Sequence, residues 1–350
     1  MKRDDLHFSS VERGIKRYIR NPSANELRVG VYLPRLTVIQ RPTRLGVQET
    51  LTVEFSAPKL VYGNNFDELT DNDLPLVITK LQSALKYMGV VVPSELLAGA
   101  KVVGWHPSKN IVYGEYFASQ TVINTLHKAD VSLVYSLQKT DFTDGEILHF
   151  HCNSKDIAFY DKLADLLRSR VSDKRAVERH NQLQHELIDT LAAVKPLSVL
   201  RFEIRFNSAV AVRRAVRLEP RASSPTFEQV FSSQLSQRIL LEHWRKLTQD
   251  INYLALDVGK PLEVLQNYVA EHDDVTPMAA CAAVTAILVA NQVGVRALRQ
   301  TLDARFGRHF WSRLKPYMQE PQPHRFGHIR QAEQALEQFK PVHLNTIKSH

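Results

Sequence analysis

Cysteine is scarce in this chain of 350 residues. Only Cys152 and Cys281 occur, far apart in sequence, so neither a disulfide framework nor a zinc finger is available. Long apolar runs are also missing: the longest, Met278 to Ala290, is too short to cross a bilayer, and the first ten residues, MKRDDLHFSS, have no signal-peptide core. A protein without membrane contact in a reducing, cytoplasmic setting is the expectation. What the chain does have is an apolar fraction of 44%, sufficient for a folded core, and an excess of basic residues that gives a net charge of +8. A polyanion is the natural partner for that charge, and nucleic acid is the leading candidate.

The stretch Leu148 to Leu166, LHFHCNSKDIAFYDKLADL, holds the best candidate for chemistry. It reads as a strand from Glu146 to Cys152, a polar turn, a returning strand from Asp156 to Tyr160, and an amphipathic helix beginning near Asp161. Tyr160 therefore stands at a strand end, a rigid mount, with the cation of Lys162 two residues on. His149 and His151 lie on one side of their strand and form a His-apolar-His pair able to reach one divalent ion. A loop of four residues, Cys152 to Lys155, brings both to the Tyr160 face, whereas three or five send them to the other.

Period-two alternation from Leu27 predicts antiparallel strands, with Glu54 on the polar side of ETLTVEFSA. A strand over Ala129 to Leu137 would likewise put Asp130 on a polar face. Residues 58 to 74, PKLVYGNNFDELTDNDL with Gly63 at its turn, read as a structured loop, and a helix capped by Asp71 or Asp73 runs to about Met88. Residues 171 to 194 read as a charged helix. In LRFEIRF, Arg201, Glu203 and Arg205 share one face, a pattern suited to phosphate, and Arg213, Arg214, Arg217 and Arg221 extend the positive charge. After RASSPTFEQ everything reads helical. Val293 and Gly294 there separate an alanine-rich helix from a basic one with Arg296 and Arg299, the outline of a helix-turn-helix.

The expected architecture is α+β: a basic helix or arm over 1–26, a nicking-joining domain over 27–222 built on a largely antiparallel sheet with helices on one face, and a helical domain over 223–350.

Four motifs, VEFSAPKLVYGNNFDEL, the Asp130 strand, AFYDKLADL and LRFEIRF, resemble in the same order the gene II type replication initiators of filamentous phages. The segment AILVANQVGVRALRQTL is similar to the helical C-terminal region of that family. The resemblance implies a rolling-circle initiator of the bacterial host cytoplasm. Such a protein nicks one strand of double-stranded phage DNA at the origin, stays joined to the 5′ phosphate, and later reseals the displaced strand. It implies Tyr160 as nucleophile, Lys162 as its helper, and Glu54 with Asp130 as ligands of Mg²⁺ or Mn²⁺. Host helicase and polymerase, and oligomerisation on DNA, come with it. The competing expectation is a DNA-binding regulator without catalysis, a repressor in which Tyr160 only packs.

Overall fold

The computed structural model describes residues 7–12, 14–23, 26, 32–114, 118–143, 145–169, 197–219, 223–249, 261–272, 274–307, 309–318 and 327–347. The helix expected over 171–194, and Arg221, lie outside them. The fold is α+β, with two antiparallel sheets in place of the expected one.

Strands β1 (His7–Glu12), β2 (Ile15–Arg20), β3 (Arg35–Thr43) and β4 (Gly46–Glu54) form a four-stranded meander. The basic N-terminal segment is therefore sheet rather than a helix or free arm. Its IKRYIR alternates side chains across the pleat, and Tyr18 and Ile19 are strand formers. Helix α1 (Ala57–Tyr62) replaces the loop expected around Gly63. Pro58 suits its first turn and Gly63, at φ +72°, closes it in the left-handed conformation that glycine adopts without strain. Helices α2 (Leu74–Tyr87) and α3 (Ser94–Ala98) follow, and α2 lays Ile78, Leu81 and Leu85 against Leu36 of β3.

The second sheet has the strand order β5 (Ser108–Tyr113), β9 (Ser198–Arg205), β8 (Lys155–Asp161), β7 (Ile147–Cys152), β6 (Leu137–Thr143). Helix α4 (Ala118–Lys128) connects β5 to β6, and α5 (Lys162–Ser169) continues β8. The segment from Ala129 to Leu137 is not one strand. A 3-10 turn over Val131–Leu133 precedes β6.

Alternate residues of β7, β8 and β9 divide cleanly between two faces. Leu148, Phe150, Ile157, Phe159, Leu200, Phe202 and Ile204 point into the main core, where Phe159 and Phe202 stack 4.6 Å apart beneath Trp244.

After β9 come α6 (Ala209–Ala215), α7 (Phe227–Val230), α8 (Ser233–Thr248), α9 (Pro261–Glu271), α10 (Pro277–Val293), α11 (Val295–Phe306), α12 (His309–Leu314), α13 (Gly327–Gln338) and α14 (Leu344–Ile347). Helices α9 to α12 pack around a cluster of their own, containing Ala283, Ile287 and Trp311. Helices α8 and α13 do not: Ile239, Leu240, Trp244, Ala332 and Leu336 complete the core beneath the five-stranded sheet. No helix among the described residues is long and apolar enough to cross a membrane.

Candidate active site on the polar sheet face

The register of the five-stranded sheet builds the site. Asp141, His149, Ala158, Glu203 and Ser108 lie in one row across the strands, because each is the paired partner of the next. One step along, Thr143, Ile147, Tyr160, Arg201 and Asn110 form the next row. On the other side lie Lys139, His151, Asp156 and Arg205. Paired residues in an antiparallel sheet project to the same side. The pairs His151 with Asp156 and His149 with Ala158 are those of the four-residue loop, so both histidines stand on the Tyr160 face.

Tyr160 is partly buried, and its hydroxyl donates to Glu203 Oε2 at 3.3 Å. Burial raises the phenol above its ordinary range; Arg201 pulls it down and Glu203 pushes it further up. Glu203 also accepts from Arg205 Nε at 2.8 Å. Its burial works against the charged form, yet Arg201 and Arg205 outweigh that and hold the carboxyl below its usual range. The neighbour of the phenol is thus an ionised carboxylate with capacity for a proton. Arg201 donates to Asn110 Oδ1 at 3.0 Å, and its Nε is buried without a hydrogen-bond partner.

Lys162 opens α5 and is fully buried, its ammonium 5.5 Å from the centre of the Tyr160 ring. It ion-pairs with Asp165 at 3.6 Å, and Nζ makes no hydrogen bond. Burial, reinforced by Arg201, brings the amine down to about 8.

Asp141, His149 and His151 offer three ligand atoms within 4.8 Å of one another. His151 Nε2 meets Asp141 at 2.9 Å, while Nδ1 lies 3.2 Å from Asp156, a carboxylate placed to orient the ring. His149 Nε2 is buried and has no partner. Burial, His151 and Arg205 all depress this imidazole, so it is neutral at pH 7 and its unpaired nitrogen is suited to a metal. The donor set of two imidazoles and one carboxylate fits a divalent transition ion better than it fits Mg²⁺.

No family model, curated protein or solved structure matches the chain.

The two acids expected to hold the metal are elsewhere. Glu54 ends β4 in the other sheet, its side chain 75% exposed and facing Arg35 at 3.8 Å. Asp130 is on no strand. It caps the 3-10 turn, fully buried, and accepts from Arg299 Nε at 2.5 Å and from the Ser132 hydroxyl at 2.6 Å. Arg299 also donates to Ser132 at 2.9 Å and ion-pairs with Asp303 at 3.3 Å, so this arginine ties α11 to the body of the protein instead of presenting itself to DNA. Arg296 borders a cleft with His127 and Lys128. Arg213 and Arg214 lie in the last turn of α6, and neither enters the polar row.

Sequence reasoning did not single out Asp141, and gave Glu203 only as sharing a strand face with Arg201 and Arg205. The alternation Lys139, Asp141, Thr143 against Thr140 and Phe142 was the available signal for a strand there.

Proposed function

We propose that this protein is a metal-dependent nicking and joining enzyme of DNA that works through Tyr160 and serves rolling-circle replication. One observation carries the proposal. A tyrosine bonded to a carboxylate, two arginines and a three-ligand metal site share one face of one sheet, within adjacent rows of its register.

A phosphodiester is anionic and repels an anionic nucleophile. The phenol of Tyr160 overcomes this by attacking while still protonated, passing its proton to Glu203 Oε2 as the new P–O bond forms. The bond from phosphorus to the 3′ oxygen breaks, and the departing oxygen takes a proton from water. The DNA then has a free 3′ hydroxyl and a 5′ phosphate on Tyr160. The ester keeps the energy of the bond that was cut, so resealing needs no ATP. Arg201 and Arg205 hold Glu203 ionised and add positive charge for the phosphate. Asp141, His149 and His151 would hold a divalent ion, which would add positive charge beside the scissile phosphate. Lys162, its ammonium 5.5 Å from the centre of the Tyr160 ring, adds positive charge on that side of the nucleophile.

The resemblance of AFYDKLADL and LRFEIRF to the gene II type initiators supports the same reading, with the metal now assigned to a different set of side chains. A non-catalytic repressor has no use for a buried, unpartnered imidazole nitrogen next to a carboxylate-bonded phenol. The test is incubation with supercoiled and single-stranded DNA of the element that encodes the chain, in Mn²⁺ or Mg²⁺. A nicked circle and an SDS-stable protein–DNA adduct are expected from the wild type, both lost in Tyr160→Phe. Nicking retained in Tyr160→Phe, or no adduct from the wild type, overturns the reading.

A further inference from the structure

The tip of the β3–β4 hairpin stands away from the protein. The hairpin's strands pair without a break from Arg35 with Glu54 to Thr43 with Gly46. β2 covers β3 as far as Gln40, so the two strands project by themselves over three paired positions, Arg41 with Gln48 to Thr43 with Gly46, about 10 Å at roughly 3.3 Å each. Every residue from 41 to 51 is exposed, Val47 at 66% and Leu45, at the tip, at 101%. The turn is nevertheless built. The Thr43 hydroxyl donates to Gly46 O at 2.9 Å and accepts from Leu45 N at 3.3 Å, while Gly46 takes φ +124°, a conformation that favours glycine.

The two faces of this sheet differ. Leu36 and Val53 lie on the face that packs on α2. The opposite face carries Arg17, Ile39 and Thr50 in one row, Ile19, Thr37 and Thr52 in the next, and Arg41 nearer the tip, and Arg44 stands beside Leu45 in the turn. The acid on that face among the described residues of β2 to β4 is Glu54, and Arg35 already neutralises it. Arg17, Arg41 and Arg44 make no ion pair among the described residues. A protruding two-stranded ribbon matches the width of a DNA major groove, and hydroxyls and arginines on one face match its phosphate walls. An exposed leucine next to an arginine is the type of apolar tip that inserts at a base step.

We propose that the β3–β4 hairpin is a duplex-gripping arm. Arg17, Arg41 and Arg44 would contact phosphates of double-stranded DNA beside the nick, with Leu45 against the base pairs. This rests on the nicking reading and adds the duplex half of the substrate, since the polar face takes only an opened strand.

The test measures binding of the full-length protein to a fluorescent mixed-sequence duplex across a salt series, for wild type, R41A/R44A and Leu45→Glu. Exposed tip residues tolerate substitution without unfolding. R41A/R44A is expected to weaken binding at least tenfold and to reduce the log-log salt slope by about 2, because each lost phosphate contact removes about 0.9. Leu45→Glu should weaken binding severalfold. Both variants should form the tyrosyl adduct on single-stranded DNA at the wild-type rate. Unchanged duplex affinity and slope in R41A/R44A overturns the arm, as does a wild type that binds no duplex. A change confined to self-association in sedimentation also overturns it, assigning the hairpin to a second copy of the chain. Absence of the adduct from the wild type, with duplex binding still dependent on Arg41 and Arg44, would sink the nicking reading and leave the arm standing.

Discussion

The hydroxyl of Tyr160 donates to Glu203 Oε2 at 3.3 Å, from one strand to its neighbour and diagonally across the register. A burial-raised phenol beside an ionised carboxylate is the arrangement in which the proton must leave during attack. Glu203→Gln keeps the shape and removes the proton acceptor, and adduct formation should slow by about 10²- to 10⁴-fold. Single-turnover kinetics on a single-stranded substrate reads this. A rate within threefold of wild type would remove Glu203 from proton transfer.

Metal affinity should follow Asp141, His149 and His151. Saturating Mn²⁺, at about 100 times its Kd, should stabilise the wild type by about 2.7 kcal/mol. Asp141→Asn and His149→Ala should abolish this shift in a thermal melt, and Glu54→Ala should leave it intact. The depressed His149 also sets a pH dependence: its lone pair stays available below 6.5, so Mn²⁺ binding should persist to lower pH than at an ordinary histidine pair. Loss of the Mn²⁺ shift in Glu54→Ala would contradict the assignment.

Asp130 predicts a different phenotype. Truncating one partner of a buried ion pair leaves the other charge unpaired, so Asp130→Ala should destabilise the fold by about 3 kcal/mol or more, with Mn²⁺ binding to the folded fraction unchanged. Urea denaturation with and without Mn²⁺ separates the two effects.

Lys162 is costly to bury. Its amine titrates at about 8 in the fold against 10.5 in the open chain, so the unfolded state holds more protons between those values. Stability should therefore rise as pH increases from about 8 to about 10.5. At pH 7 Lys162→Met should stabilise the protein by on the order of 2 kcal/mol while slowing adduct formation. A destabilised Lys162→Met variant with normal activity would show the ammonium to be structural.

His243 supplies the acid limb. Its Nδ1–H donates to Ile239 O at 2.9 Å and Nε2 faces Lys155 Nζ at 2.8 Å; burial first, then Lys155, brings the ring down to about 4. The unfolded chain binds this proton from about 6.5 downward, so stability should fall as pH drops from about 6.5 to about 4. In Lys155→Met/His243→Phe the urea midpoint should lose that part of its pH dependence.

Much of the site was legible from spacing. A period of two places His149, His151, Tyr160, Arg201 and Arg205 on definite strand faces, and the hairpin length decides whether those faces coincide. Partners from distant sequence were not legible. Asp130 looks like a sheet carboxylate until Arg299, 169 residues away, is seen to bind it. Glu54 has the right alternation on the wrong sheet, because local pattern fixes the face of a strand and says nothing of which sheet it joins. The N-terminal strands were missed because charge dominated the reading of IKRYIR, although its alternation is that of β2.

The joint core beneath the five-stranded sheet limits how this protein can be taken apart. Cutting after residue 222 would carry away Trp244 and Leu336 and leave Phe159 and Phe202 facing water. A truncated fragment would thus present an uncovered apolar slab and clump, and dissecting cleavage from DNA capture will require point substitutions at the surface, with the chain left whole.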